Sequence, residues 1–481
     1  MIGLNGLESD SKYSKLAKNS AVFLVGNLGS KIISFVIVPF YTYMLTTAEY
    51  GEADLVTTTV NLVVPFAMLG MNEAVLRFSA SRELSHDELA SNSMLVVVAS
   101  VALSWLLYPL LSCVSIIGAN IVPFLLLLNL QTFNNIFLQY LRGSGKSKAF
   151  VANGIITTFV MAVANVVALP VLHLGVFGYL ASMVLAQLVG TVHIVVCSRV
   201  WEHLSLASVD RRVLSTMLRY SIPLIPNSLM WWVMSVSDRY VILFFLGAGA
   251  NGLYNVAQKI PSIVNVVYSI FMQAWQVSAI EERDSEDNAR FQSQVFGYMF
   301  VVLALASSLI AATAHPVYTV LMSSDYVDSW QPVAMLTLAN LLSCIGMFFG
   351  TTYVVHKESK KAFSTTAVGA VVNIIVTLCL VPFVGIVGAA VATAISYGVM
   401  AAVRVRDTKR HVAIEYRKGE IIPAFLIIGL QVVLSFAPYS VTVLGIQVAL
   451  FFVLVFALRR SLDKIFSVAA GIFGKRVAGR R

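Results

Sequence analysis

The sequence predicts an all-α integral membrane protein. It should have about fourteen transmembrane helices, arranged as two six-helix lobes related by a parallel repeat plus two C-terminal helices. Three observations carry this. Of 481 residues, 58% are apolar and only 12% charged, against about 25% charged in an ordinary soluble chain. The apolar residues gather in runs of the ~20 residues that a membrane helix needs. The basic residues sit in alternate connections between those runs. A soluble enzyme and a disordered scaffold are excluded by composition, and the net charge of +9 has a topological explanation that removes nucleic acid as a partner.

The candidate spans are 20–44, 53–72, 93–111, 116–140, 149–170, 176–198, 217–246, 252–279, 291–313, 330–354, 362–381, 384–403, 421–437 and 441–458. The first follows Lys12, Lys15 and Lys18. It is too long for a signal h-region, contains a lysine and lacks a small-x-small cleavage site, so it is expected to remain as a helix. The last two are short, and are read either as distorted spans or together as one hairpin. Thirty of the 33 Lys and Arg fall on one side of this layout. Among them are Arg77, Arg142, Lys146, Arg211, Arg219, Lys361, Arg404, Arg410 and the 459–481 tail. The positive-inside rule then places both termini and these loops in the cytoplasm. The longest outer loop, about Ala314 to Ser329, carries Asp325 and Asp328 but no arginine. Cys113, Cys197, Cys344 and Cys379 are scattered through apolar sequence and predict neither disulfides nor a metal site.

Two stretches repeat. Lys148-Ala149-Phe150 precedes Gly175-Val176-Phe177-Gly178, and Lys361-Ala362-Phe363 precedes Gly385-Ile386-Val387-Gly388. Tyr50-Gly51 is matched by Asn251-Gly252. These offsets pair spans 1–6 with 7–12 in the same orientation, a parallel repeat about an axis along the membrane normal. The expected organisation is a first lobe over 1–198, a cytoplasmic linker at 199–216 and a second lobe over 217–403. A basic loop at 404–420, a helix pair at 421–458 and a basic tail at 459–481 complete it. Such a duplication is expected to set a substrate cavity between the lobes.

Three cations lie inside spans: Lys31, Arg239 and Lys259. A cation at bilayer depth costs at least ~2.5 kcal/mol, so each should face water or a partner. At ~1.5 Å per residue, Lys31 lies roughly 16 Å along span 1, near the midplane. Polar stripes accompany them: Asn27 with Lys31; Asp54, Thr58 and Asn61; Trp232, Ser235 and Arg239; Lys259, Ser262, Asn265 and Gln273. These faces should line one electropositive cavity suited to a diphosphate, since phosphate oxygens take charge-assisted bonds from Arg and Lys. Two readings stand for Asp238 with Lys259, a structural ion pair or substrate contact, and Arg239 either snorkels outward or binds substrate. Trp231, Trp232 and Trp275 stack on sugars or simply pack. Asp54 and Asp238 are the candidates for a coupling-ion site, and Asp54, near a span end, reads more simply as solvated. Pro39, Pro65, Pro223, Pro226 and Pro261 favour kinks in the same four spans, for alternating access or for static shape.

The run Tyr220-Ser221-Ile222-Pro223-Leu224-Ile225-Pro226-Asn227-Ser228, with Trp231-Trp232, Ser237-Asp238-Arg239-Tyr240, Gly252-Leu253-Tyr254, Lys259-Ile260-Pro261 and Gln273-Ala274-Trp275, resembles the Wzx-type polysaccharide-unit (O-antigen) flippases. These belong to the multidrug/oligosaccharidyl-lipid/polysaccharide exporter superfamily. The resemblance implies a flippase that moves an undecaprenyl-diphosphate-linked oligosaccharide to the outer leaflet of a bacterial inner membrane. It also implies coupling to an H+ or Na+ gradient, no cofactor, and a role in lipopolysaccharide assembly beside polymerase and chain-length proteins. Lys31, Asp238, Arg239 and Lys259 are the positions it carries over. A drug/cation antiporter of the same fold would need deep acids, and here deep cations outnumber them. A membrane glycosyltransferase or polymerase would need a large outer loop with acids and arginines.

Overall fold

The computed structural model describes Gly29 and residues 33–269, 271–272, 288–356, 358–411, 414–465 and 467. These residues form helices, turns and loops, with no strand among them. The chain divides into two compact units, Met1–Trp232 with Gly247–Gly252, and Val233–Leu246 with Leu253–Arg481.

The first unit holds α1 (Ile33–Met44), α2 (Thr47–Ala67), α3 (Met71–Ser81), α4 (His86–Leu106), α5 (Tyr108–Leu111) and α6 (Ile121–Gly143). It continues through α7 (Ser147–Ala168), α8 (Gly175–Ser198), α9 (Arg211–Ser221) and most of α10 (Ile225–Val236). Local chemistry sets several starts. Thr46 with Glu49, and Ser85 with Glu88, form reciprocal capping boxes at α2 and α4, satisfying amides that a helix start otherwise leaves bare. Asp210 accepts from the Arg212 amide at 2.7 Å to begin α9. Helices α7 and α6 both pack on α8, and α2 and α3 pack on α6. Val56, Leu125, Phe137, Leu141 and Ile194 lie in the resulting core.

The second unit holds most of α11 (Asp238–Lys259), then α12 (263–269), α13 (Asn288–Leu321), α14 (Val333–Val355), α15 (Ser359–Val384) and α16 (Ile386–Thr408). Helices α17 (Lys418–Leu434) and α18 (Val441–Ala457) close it. Here α14 and α15 pack on α16, as α6 and α7 do on α8, while α13 carries α17 and α18.

Among the described residues, nine helices are long and apolar enough to cross a membrane, or up to eleven if each bent pair is one span. The expected fourteen is not reached by that test, for three physical reasons. Residues Arg211–Lys259 count as one 49-residue run, although Gly247 at φ 85°, ψ 176° breaks it. Helix α17 has 17 residues, and α1 is described only from Ile33.

Two loop expectations are corrected. The connection expected after span 2 is the helix α3, bent 54° from α2. Leu69 and Gly70 both take positive φ at this bend, four residues after Pro65. Arg404, expected in a cytoplasmic loop, is only 3% exposed. It lies in the last turns of α16 and donates to Thr365 Oγ1 at 3.0 Å, Thr366 Oγ1 at 2.9 Å and Gly346 O at 2.9 Å. Its planar five-donor fork can meet acceptors on two helices at once. Gly350 leaves the room, since a Cβ there would stand 2.7 Å from Arg404 Nη1.

Candidate functional site

The second unit buries a carboxylate. Asp238 opens α11 behind Ser237, in the helix's first turn, where the macrodipole favours negative charge. The break at Gly247 lies about 13 Å further along α11, and beyond it the helix turns so that Tyr254 reaches back to Asp238. The Tyr254 hydroxyl donates to Asp238 Oδ2 at 2.5 Å, and Thr393 Oγ1 of α16 lies 3.4 Å from the same oxygen. Asp238 is 1% exposed. Its Oδ1 is buried with no hydrogen-bond partner among the described residues.

A chain of small polar groups begins at the adjacent Ser237. Ser237 Oγ donates to Asn373 Oδ1 of α15 at 3.1 Å, and Asn373 Nδ2 reaches Ser396 Oγ of α16 at 3.4 Å. Thr377, one turn beyond Asn373, is fully buried and its hydroxyl oxygen also lacks a partner among the described residues. A buried ionised carboxylate with an unused oxygen is costly unless something positive meets it. A carboxylate flanked by two hydroxyls fits a proton or a hard monovalent cation. Sequence reasoning found Asp238 but missed Tyr254, Asn373, Thr377, Thr393 and Ser396. The available signal was Asn373/Thr377 at i, i+4 and Thr393/Ser396 at i, i+3, polar pairs on one face of otherwise apolar spans.

Arg239 is half-buried beside Asp238, and its Nη2 donates to Gln258 Oε1 at 3.1 Å. Lys259 is half-buried at the end of α11. Asn265 of α12 binds α14 instead: its Nδ2 donates to Asn340 Oδ1 at 3.0 Å and its Oδ1 accepts from Cys344 Sγ at 3.3 Å. The structure therefore brings Asp238 and Arg239 together with the 254–258 turn, and draws Asn265 into helix packing. Trp232 is half-buried on α10 and falls in the first unit. Lys31, Asn27, Gln273 and Trp275 lie outside the described residues.

Asp54 corrects an expectation. Rather than solvated, it is 7% exposed. Asn251 Nδ2 donates both to Asp54 Oδ2 at 3.3 Å and to Gly51 O at 3.0 Å. The approach is possible because residues 51 and 252 are glycines: a Cβ on Gly51 would fall 1.9 Å from Ala248 O, and one on Gly252 2.0 Å from Thr47 O. The two glycines of the repeated x-Gly pairs, which lie inside α2 and α11 rather than in turns, thus touch within the first unit.

Fold and site define a class, a multi-pass all-helical membrane protein that buries a carboxylate among its helices. The chain belongs to the polysaccharide biosynthesis protein family, whose model matches residues 16–276. The flippase resemblance drawn from the span 7–8 residues stands on the same segment. Among curated proteins, the chain is 23% identical over 211 residues to "Probable low-salt glycan biosynthesis flippase Agl15" of Haloferax volcanii, covering 43% of this chain and 44% of that protein. It is 24% identical over 439 residues to an uncharacterized membrane protein of Methanocaldococcus jannaschii, covering 82% of this chain and 99% of that one. The chain thus spans under half of the first relative and nearly all of the second. Among solved structures, the lipid II flippase MurJ in an inward closed conformation superposes with a TM-score of 0.71 at 13% identity, over 92% of this chain and 100% of that one. An inward-facing multidrug resistance MATE family transporter of the MOP superfamily gives 0.61 at 16% identity, over 82% and 94%. At such identities these likenesses speak for the fold alone.

Proposed function

We propose that the protein is an ion-coupled flippase for an undecaprenyl-diphosphate-linked oligosaccharide unit. It works in a bacterial inner membrane with both termini cytoplasmic, and moves the unit from the cytoplasmic to the outer leaflet by alternating access. Lys31, Arg239 and Lys259 offer cationic groups for the diphosphate, Asn27, Gln273 and Trp232 polar and aromatic surface for the sugars, and the bilayer keeps the lipid tail. Asp238 is the coupling site: it takes up a proton or sodium ion when its cluster is open to one side, and Tyr254 and Thr393 hold the carboxylate in place. The burial of the Asp238 carboxylate among the Tyr254 and Thr393 hydroxyls supports this reading. Membership of the polysaccharide biosynthesis family supports the substrate class. Polymerase and chain-length proteins are its partners in this reading, and no step alters the substrate covalently.

Purified protein in liposomes loaded with the lipid-linked unit tests this. Imposed Na+ and H+ gradients should drive flipping with different efficiency, and Asp238→Asn should abolish the gradient dependence while the protein still inserts. In cells, Lys31→Ala and Arg239→Ala should each remove surface polysaccharide. Wild-type export by both variants would sink the phosphate assignment. A drug/cation antiporter is favoured by one observation, that Asp54 and Asp238 are both buried, as cation-binding acids would be. Efflux of an organic cation by the same liposomes, with no movement of the lipid-linked unit, would decide for it.

A further inference from the structure

Helix α9 has two sharply different faces. Val213, Met217 and Ser221 are buried, Leu214 and Leu218 half-buried, and Arg211, Ser215 and Arg219 exposed along one stripe. Residues 211, 215 and 219 recur at i, i+4, i+8, so the arginines lie two turns apart on one side, about 12 Å along the axis. Neither makes an ion pair among the described residues, and the cleft of about 510 Å³ that they border, with Leu214, Leu218 and Pro223, has no acid among its described lining residues.

A second cavity adjoins it. It measures about 610 Å³ and its walls are almost wholly apolar, within the roughly 300–1,000 Å³ of ligand-binding cavities. Leu214 and Leu218 line both cavities. The apolar one follows α4 from Leu95 to Leu103, about 12 Å along the helix, and continues past its end at Leu107 and at Leu111 of α5. Leu103 at 56% and Phe66 at 46% exposure stand open on its walls. Because α4 is long and apolar enough to cross a membrane, its exposed face meets hydrocarbon, and what fits the groove is a lipid chain. An apolar groove sharing a wall with an uncompensated arginine cleft matches a molecule that is apolar along its length and anionic at one end.

We propose that the first unit carries a lipid-loading groove for an isoprenoid phosphate: the chain lies against α4, and the phosphate end rests on Arg211 and Arg219. The inference rests on the flippase reading and adds to it a docking site for the carrier built from residues other than Lys31, Arg239 and Lys259. Loading there would present the headgroup on the basic-loop side of the membrane before translocation.

The full chain in nanodiscs of phosphatidylethanolamine and phosphatidylglycerol tests this, with a diazirine-bearing isoprenoid diphosphate as probe. Illumination should place adducts on α4 and α9 peptides, read by mass spectrometry. Excess undecaprenyl phosphate should compete, and equal added phosphatidylglycerol should not. Arg211→Ala/Arg219→Ala, both at exposed positions, should cut the adduct about tenfold, the loss of a charge-assisted anchor. Leu103→Trp, which fills the groove, should do the same, while Arg239→Ala should leave these adducts unchanged. Competition by phosphatidylglycerol would mean that bulk lipid fills the groove, and overturns the proposal. So would wild-type labelling in both groove variants. If wild-type liposomes flip the lipid-linked unit and the groove variants match them in labelling and transport, the groove falls and the flippase reading stands. If the wild type neither labels nor transports, both fall.

Discussion

At the scale of single residues, the charged groups below the surface divide by what satisfies them. Asp238 has one oxygen met by Tyr254 and Thr393 and lies beside the Arg239 guanidinium. Tyr254→Phe should therefore lower stability by about 1.5–3 kcal/mol, the value of a hydrogen bond to a charged group. It should also weaken gradient-driven transport without abolishing it, since the carboxylate remains. A melting curve in detergent beside a flipping assay checks both, and unchanged values in each would remove Tyr254 from the site. Arg404 is the opposite case, a cation held by acceptors on α14 and α15. Arg404→Met should cost about 3 kcal/mol or more by stranding those acceptors. Arg404→Lys should recover little, because an ammonium cannot reproduce the fork. A melting temperature for the lysine variant equal to wild type would show that the charge alone matters. Asp238 was legible because an acid in an apolar run is rare. Arg404 was not, because a basic residue at a span end looks the same on paper whether it enters the loop or folds back against its neighbours.

Among the elements, the helices were legible from their apolar runs, and their ends from caps such as Thr46–Glu49 and Ser85–Glu88. The breaks were only half legible. Pro65 announced a disturbance in span 2, yet the turn itself sits at Leu69 and Gly70, whose positive φ no periodicity predicts. Pro261 marks the end of α11 rather than a bend within a helix. The repeated Tyr50-Gly51 and Asn251-Gly252 pairs speak in the sequence for duplication, but they lie inside helices rather than turns, and their physical use, a backbone approach that excludes any Cβ, is visible only in the structure. That use predicts that Gly51→Ala and Gly252→Ala each force the two segments apart. Each should lower the melting temperature and cost about 1–3 kcal/mol, the usual penalty of overpacking, while the equally helical Gly154→Ala, with open space at its Cβ, should be neutral or mildly stabilising. A Gly252 variant as stable as Gly154→Ala would show that the approach contributes nothing.

For the whole molecule, the open question is whether α17 and α18 cross the membrane. Each has 17 residues, about 25 Å of helix against a hydrocarbon core of about 30 Å, and sequence alone left a hairpin standing. Packing against α13 predicts that they do. The Glu415 amide, just before α17, donates to Ser293 Oγ near the start of α13 at 2.8 Å. At the other end, Tyr439, just after α17, stacks on His315 of α13 at 3.5 Å between ring centroids. His315 also meets Trp330 beside the loop that carries Asp325 and Asp328. Residues 293 to 315 of α13 rise about 33 Å, so α17 and its short flanks cover a full crossing alongside it. The turn at Ser440 must then share a face with Ser324, opposite Lys360 and Asp463. In a chain whose native cysteines are replaced by serine, single cysteines at Ser324 and Ser440 should react with a membrane-impermeant maleimide added to intact cells. Cysteines at Lys360 and Asp463 should react only after permeabilisation. Protection of the Ser440 site with labelling at Ser324 would make the last pair a hairpin that never reaches the outer face, and would reduce the crossings by two without changing the side on which the C-terminal basic tail lies.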